Sequence, residues 1–154
     1  MTTALVESRY EIQSFTVQYA AAEPLVHECL TQPRAVATTA QALFRTMDAG
    51  QEHFAAFYLN VQNEVLAFKH LSSGTLDQVA VYPRIILRNA LLLGAAGVII
   101  VHNHPSGYIL PSEDDKRLTY TLRDSGRALD IRTLDHLVIN DRGDFFSFRE
   151  QGLL

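Results

Sequence analysis

At 154 residues the chain has the size of one domain, and its single cysteine, Cys29, excludes an internal disulfide and a cysteine-rich metal site. A domain of this length buries roughly 68–70% of its unfolded surface and needs no covalent staple, and 47% hydrophobic with 19% charged residues is ordinary globular composition. A net charge of −4 and a pI near 5.8 argue against a broad nucleic-acid footprint, leaving at most a local basic patch such as Arg117, Arg123, Arg127 and Arg132.

The start of the chain, Met1-Thr2-Thr3-Ala4-Leu5-Val6-Glu7, lacks the basic and apolar regions of a signal peptide. No apolar stretch reaches the ~18–20 residues of a membrane span, so a cytoplasmic protein without membrane partners is expected. Residues 10–20, with Ile12, Phe15, Val17 and Tyr19, read as a strand, and residues 23–31 as a short helix. Pro33 precedes a helical stretch from Ala35 to Met47 that stops before Ala49-Gly50. Residues 1–48 are taken as an N-terminal accessory segment and 49–154 as the main domain.

From Glu52 the pattern changes. Phe54 to Leu59 and Val65 to Phe68 flank Asn60-Val61-Gln62-Asn63, the pattern of a β-hairpin. Ser72 to Thr75 reads as a loop. Pro83 suits the first turn of a helix running to about Leu93, and Gly94 the position after it. The apolar run before His102 reads as a buried strand over 97–101. A helix is expected from Ser112 to Ser125, ended by Gly126, and two closing strands over 131–140 and 144–148 around Asp141-Arg142-Gly143. Strands alternating with helices give an α/β class with a mixed sheet.

The segment His102-Asn103-His104-Pro105-Ser106-Gly107, followed by Ser112 and Asp115, carries the chemistry. Two imidazoles and one carboxylate suit a catalytic zinc ion, because they leave a fourth position for water. In a strand, residues i and i+2 share a side, so His102 and His104 can approach one ion if the strand runs through them. Each part also has a plainer explanation. Most HxH pairs bind nothing. Ser112-x-x-Asp115 is also a capping box that starts a helix, with Glu113 and Asp114 favouring its dipole.

The order HxHP, short loop, SxxD after a buried strand resembles the metal motif of the JAMM/MPN metalloprotease superfamily. Ser73-Gly74-Thr75-Leu76, Val81-Tyr82-Pro83-Arg84, Leu91 to Ala96, His102 to Gly107 and Leu134-Asp135-His136-Leu137 resemble the RadC family in particular, over roughly residues 50–150. No counterpart of the helix-hairpin-helix-type region of longer members is visible, and the chain is similar to the short, single-domain ones. The resemblance implies a cytidine-deaminase-like JAB/MPN fold, a central mixed β-sheet flanked by helices. It implies zinc held by His102, His104 and Asp115, with Ser112 bonding the attacking water or the oxyanion. It also implies an upstream glutamate as general acid/base, for which Glu52 at the start of the first matching strand is the candidate. Glu64 competes with Glu52, and Asp114 with Asp115. His136 reads as a hydrogen-bonded structural histidine; His27, His53 and His70 lack a constellation, and Cys29 reads as a buried thiol.

The activity implied is zinc-dependent hydrolysis of an amide bond in a peptide or protein. A non-catalytic binding module and a DNA repair or recombination role with a nucleic-acid partner are the alternatives. Deaminase chemistry is disfavoured, because that zinc site needs cysteines and an HxE arrangement.

Overall fold

Strand β1 (Glu52–Leu59) forms the spine of the molecule because both of its faces are covered: every residue from His53 to Leu59 is buried. The structure, a computed structural model, describes residues 30–74 and 81–154. The strand expected over 10–20 and nearly all of the helix expected over 23–31 lie outside the described residues. The remaining elements are α1 (Pro33–Phe44), β2 (Val65–Gly74), α2 (Pro83–Leu93), β3 (Gly97–Asn103), α3 (Glu113–Arg127), β4 (Arg132–Ile139) and β5 (Phe145–Ser147). The five strands form one sheet in the order β2-β1-β3-β4-β5. β3 and β4 are parallel, joined through α3, and the other neighbours are antiparallel. This is the mixed-sheet α/β architecture that the resemblance implies. Among the described residues no helix is long and apolar enough to cross a membrane.

Alternation along the strands divides the core in two. Ala55, Phe57, Leu59, Ile99, Val101, Leu137 and Ile139 face α1, which covers them with Val36, Ala37, Ala40 and Phe44. Phe54, Ala56, Tyr58, Val98 and Ile100 face the other way, against Ile86, Leu87 and Ala90 of α2 and Leu122 of α3. The even-numbered face of β3 therefore continues into His102, on the side where α3 packs.

The hairpin, α2 and the two closing strands fall where their signals lie. Pro83 opens α2, and Gly94 follows it in the left-handed conformation with φ 63°. Several boundaries differ, and β3, expected over 97–101, runs on to Asn103. The helix expected from Ala35 begins at Pro33 and ends at Phe44. Of the loop expected over Ser72–Thr75, Ser72 to Gly74 are the end of β2, because Phe54, His53 and Glu52 of β1 pair with Ser72, Ser73 and Gly74, and Thr75 lies outside the described residues. The third helix does not stop at Ser125 but runs through Gly126 to Arg127. Gly126 serves close approach instead of termination. A Cβ there would lie 2.5 Å from the Ile131 carbonyl oxygen, and the Gly126 carbonyl accepts the Ile131 N–H at 2.9 Å.

Gly126→Ala is therefore expected to lower the unfolding free energy by about 1–3 kcal/mol, as overpacking does. Urea unfolding measures it, and an unchanged midpoint would contradict the close approach.

Candidate metal centre

The strand that ends in His102 is held on both sides, by β1 and by β4, and residues 97–102 are all buried. His102 has 0% exposure. Its ring stacks on Phe54 of β1, with centroids 5.1 Å apart and planes within 5°. Its Nδ1 lies 2.9 Å from Nε2 of His136 on β4, which places its Nε2 toward the end of the sheet. His104 stands just beyond the strand. Its backbone N–H reaches the Ile139 carbonyl at 3.2 Å, and Gly107, at φ 82°, closes the turn back to its carbonyl. The His104 Nδ1 meets the Tyr108 carbonyl at 2.8 Å. A carbonyl only accepts, so this nitrogen carries a proton, and in the neutral ring Nε2 keeps its lone pair.

α3 brings the third group. Its capping box forms as the sequence reading allowed: the Ser112 hydroxyl oxygen accepts the Asp115 N–H at 3.1 Å, while the Ser112 N–H donates to Asp115 Oδ2 at 2.7 Å. The Ser112 hydroxyl also donates to Oδ2, at 2.7 Å. The capped carboxylate still reaches the histidines, with Oδ1 3.3 Å from His102 Nε2 and Oδ2 3.7 Å from His104 Nε2. The capping and ligand readings of Ser112-x-x-Asp115 are thus compatible.

Glu52 opens β1, and its Oε1 lies 4.0 Å from His102 Nε2. Nε2 of the two histidines are 3.0 Å apart, and the ligand atoms of Glu52, His102, His104 and Asp115 all lie within 4.8 Å of one another. Such a group can hold a metal ion. Asn103, between the histidines, fixes the glutamate: its Oδ1 accepts the His53 N–H at 2.7 Å and its Nδ2 donates to the Gln51 carbonyl at 3.1 Å. Both neighbours of Glu52 are pinned by the residue between the two imidazoles.

The competing residues stand elsewhere. Asp114 is exposed and paired with Arg117 at 2.8 Å, and exposed Glu64 accepts from Asn60 at 2.6 Å. His53 points to the α1 side, where its Nε2 meets the Asp48 carbonyl at 2.7 Å and its Nδ1 neighbours Ser73 and His70. His136 is fully buried between strand and helix, hydrogen-bonded to His102 and Thr119. Asn103 and Thr119 were missed in the sequence, although each had a signal. Asn103 sits inside the HxH motif, and Thr119 lies one helical turn beyond Asp115.

The two carboxylates are pushed apart electrostatically. Burial raises Glu52 above the usual carboxylate range, against the pull of His102 and His104. Burial also opposes ionisation of Asp115, but the nearness of His102 and His104, with the Ser112 bond, outweighs it and holds that carboxyl well below its usual value. Asp115 in turn raises His104. His136 is held well below the usual imidazole value by burial.

A family model for the RadC-like JAB domain matches residues 30–153, a span that includes α1 and the whole cluster. The chain is 45% identical over 127 residues to a UPF0758 protein of Chromohalobacter salexigens, covering 79% of this chain and 56% of that protein. It is 46% identical over 108 residues to one of Vibrio cholerae (69% and 67%) and 40% identical over 134 residues to one of Pseudomonas fluorescens (86% and 58%). The chain spans about half the length of most of the curated relatives it matches.

Replacing Asn103 with Ala removes both bonds flanking Glu52 and leaves a partly buried N–H and carbonyl unpaired. A loss of about 1–3 kcal/mol in urea unfolding is expected; an unaltered unfolding curve would show that the clamp holds nothing.

Proposed function

The chain belongs to the RadC-like JAB domain family, and on that footing we propose that it is a zinc-dependent hydrolase that cleaves an amide bond, peptide or isopeptide, in a peptide or protein substrate. The observation that carries this reading is the convergence of two imidazole nitrogens and two carboxylates at the end of a buried strand.

The donor set fits zinc. A tetrahedral zinc with bonds of 2.0–2.1 Å spaces its ligand atoms about 3.3–3.4 Å apart. His102 Nε2 lies 3.0 Å from His104 Nε2 and 3.3 Å from Asp115 Oδ1, while His104 Nε2 lies 3.7 Å from the other carboxylate oxygen, Oδ2. Nε2 of His104 offers a lone pair, and Asp115 stays ionised. Three protein ligands would leave one position free. When bound, zinc would lower the pKa of a water to about 7 and polarise the scissile carbonyl.

The chain's own residues supply the rest. Glu52 stands beyond the three ligands, and its raised carboxyl suits a group that takes a proton from the attacking water and returns it to the leaving amine. Asn103 keeps it there through the backbone on either side. Ser112 orients Asp115. Its hydroxyl hydrogen, free to rotate while the oxygen still accepts the Asp115 N–H, is proposed to turn to the developing oxyanion.

Glu52→Gln separates these roles. With zinc-loaded protein on a panel of fluorogenic peptide and isopeptide substrates, turnover is expected to fall by about 10²–10⁴-fold while bound zinc is unchanged. Wild-type turnover in Glu52→Gln would remove Glu52 from the chemistry, and wild-type turnover after chelation would remove the metal.

A further inference from the structure

Beyond the ligands, a second pair of residues controls what His102 can do. We infer that Thr119 and His136 are positioning residues that fix His102 in the tautomer protonated on Nδ1, so that a bare Nε2 faces the metal position. The inference rests on the metal-centre reading proposed above.

The hydrogens can be placed in sequence. The Thr119 hydroxyl oxygen lies 2.6 Å from the Asp115 carbonyl oxygen. Two oxygens that close repel unless a hydrogen lies between them, and the carbonyl has none, so the single hydroxyl hydrogen of Thr119 points there. At its other contact, His136 Nδ1 at 2.6 Å, the hydroxyl can only accept. His136 Nδ1 is therefore an N–H. The His136 ring has 0% exposure and is covered by Phe148, stacked at 4.7 Å, and by Phe54 at 5.6 Å. Its two ring hydrogen-bond partners are a hydroxyl and an imidazole, neither of them a carboxylate, and burial outweighs the pull of Asp115. A neutral imidazole carries one N–H, so His136 Nε2 accepts, and His102 Nδ1, 2.9 Å away, must donate. The only lone pair left on His102 is on Nε2, 3.0 Å from His104 Nε2 and 3.3 Å from Asp115 Oδ1, so these three acceptors need a cation among them, a metal ion or, without one, a proton on His104.

The opposite tautomer would put an N–H into the place where the ion must bind. The chain of bonds begins on the helix that carries Asp115, one turn along, and passes through β4. Parallel pairing sets His136 beside Ile100, two residues before His102. One helix thus supplies a ligand and, through its next turn, the orientation of another.

Nitrogen-15 NMR of the histidine rings in metal-free protein, at a pH where His136 is neutral, reads this assignment without zinc or substrate. The expected spectrum has His102 protonated on Nδ1. Thr119→Val, which leaves His136 Nδ1 without an acceptor, is expected to abolish the single tautomer at His102 and weaken zinc binding by about 10–100-fold in chelator competition. Thr119→Ser, which keeps the hydroxyl, should restore both. A wild-type His102 protonated on Nε2 would overturn the inference, as would a Thr119→Val protein with wild-type zinc affinity. The wild-type spectrum decides even if Thr119→Val fails to fold. A wild-type His102 protonated on Nδ1 in a protein that takes up no zinc would support the tautomer assignment while overturning the metal reading.

Discussion

A histidine without exposed surface must satisfy both ring nitrogens inside the protein, and the surroundings of β3 are organised by that requirement at His102. On the inner side Nδ1 is met by His136, which is met in turn by Thr119. On the outer side Nε2 faces His104, Asp115 and Glu52. The inner partners need β4 to lie parallel to β3 and α3 to cross between them. The outer partners need α3 to start beside the His loop. The βαβ crossover meets both demands with one helix.

Stability and chemistry share side chains throughout this region. Asp115 caps α3 and reaches the histidines with the same carboxylate. Asn103 ties β3 to β1 and thereby sets the glutamate. A helix N-terminus disfavours a nearby cation, so it is the ionised Asp115 that would let this end of α3 face one. The close approach at Gly126 draws the far end of α3 onto the start of β4, which keeps Thr119 over His136.

Much of this was legible in the sequence, and for identifiable reasons. The hairpin, Pro83 and Gly94 around α2, and the apolar run ending in His102 are local signals, each decided within a few residues. Asp115 was separable from Asp114 by spacing, and in the structure Asp114 turns to Arg117. Other features depend on pairing between distant segments. Ser72 to Gly74 has loop composition but is held as strand by backbone bonds to β1, which side-chain type does not announce. Gly126 resembles a helix stop, and only the return of the chain at Ile131 explains why it is not one. Val36, Ala37, Ala40 and Phe44 lie at helical spacing, yet nothing in that spacing names the sheet face they cover. The alignment of His136 with His102 is set by the β3–β4 register, across more than thirty residues of sequence.

X-ray absorption at the zinc edge, on protein loaded with one equivalent of zinc and dialysed, tests the centre most directly. The expected result is one tightly held ion with two imidazole nitrogens and oxygen ligands at about 2.0–2.1 Å, and no sulfur. Protein that retains no zinc, or a spectrum with sulfur scattering or a single imidazole, would contradict it.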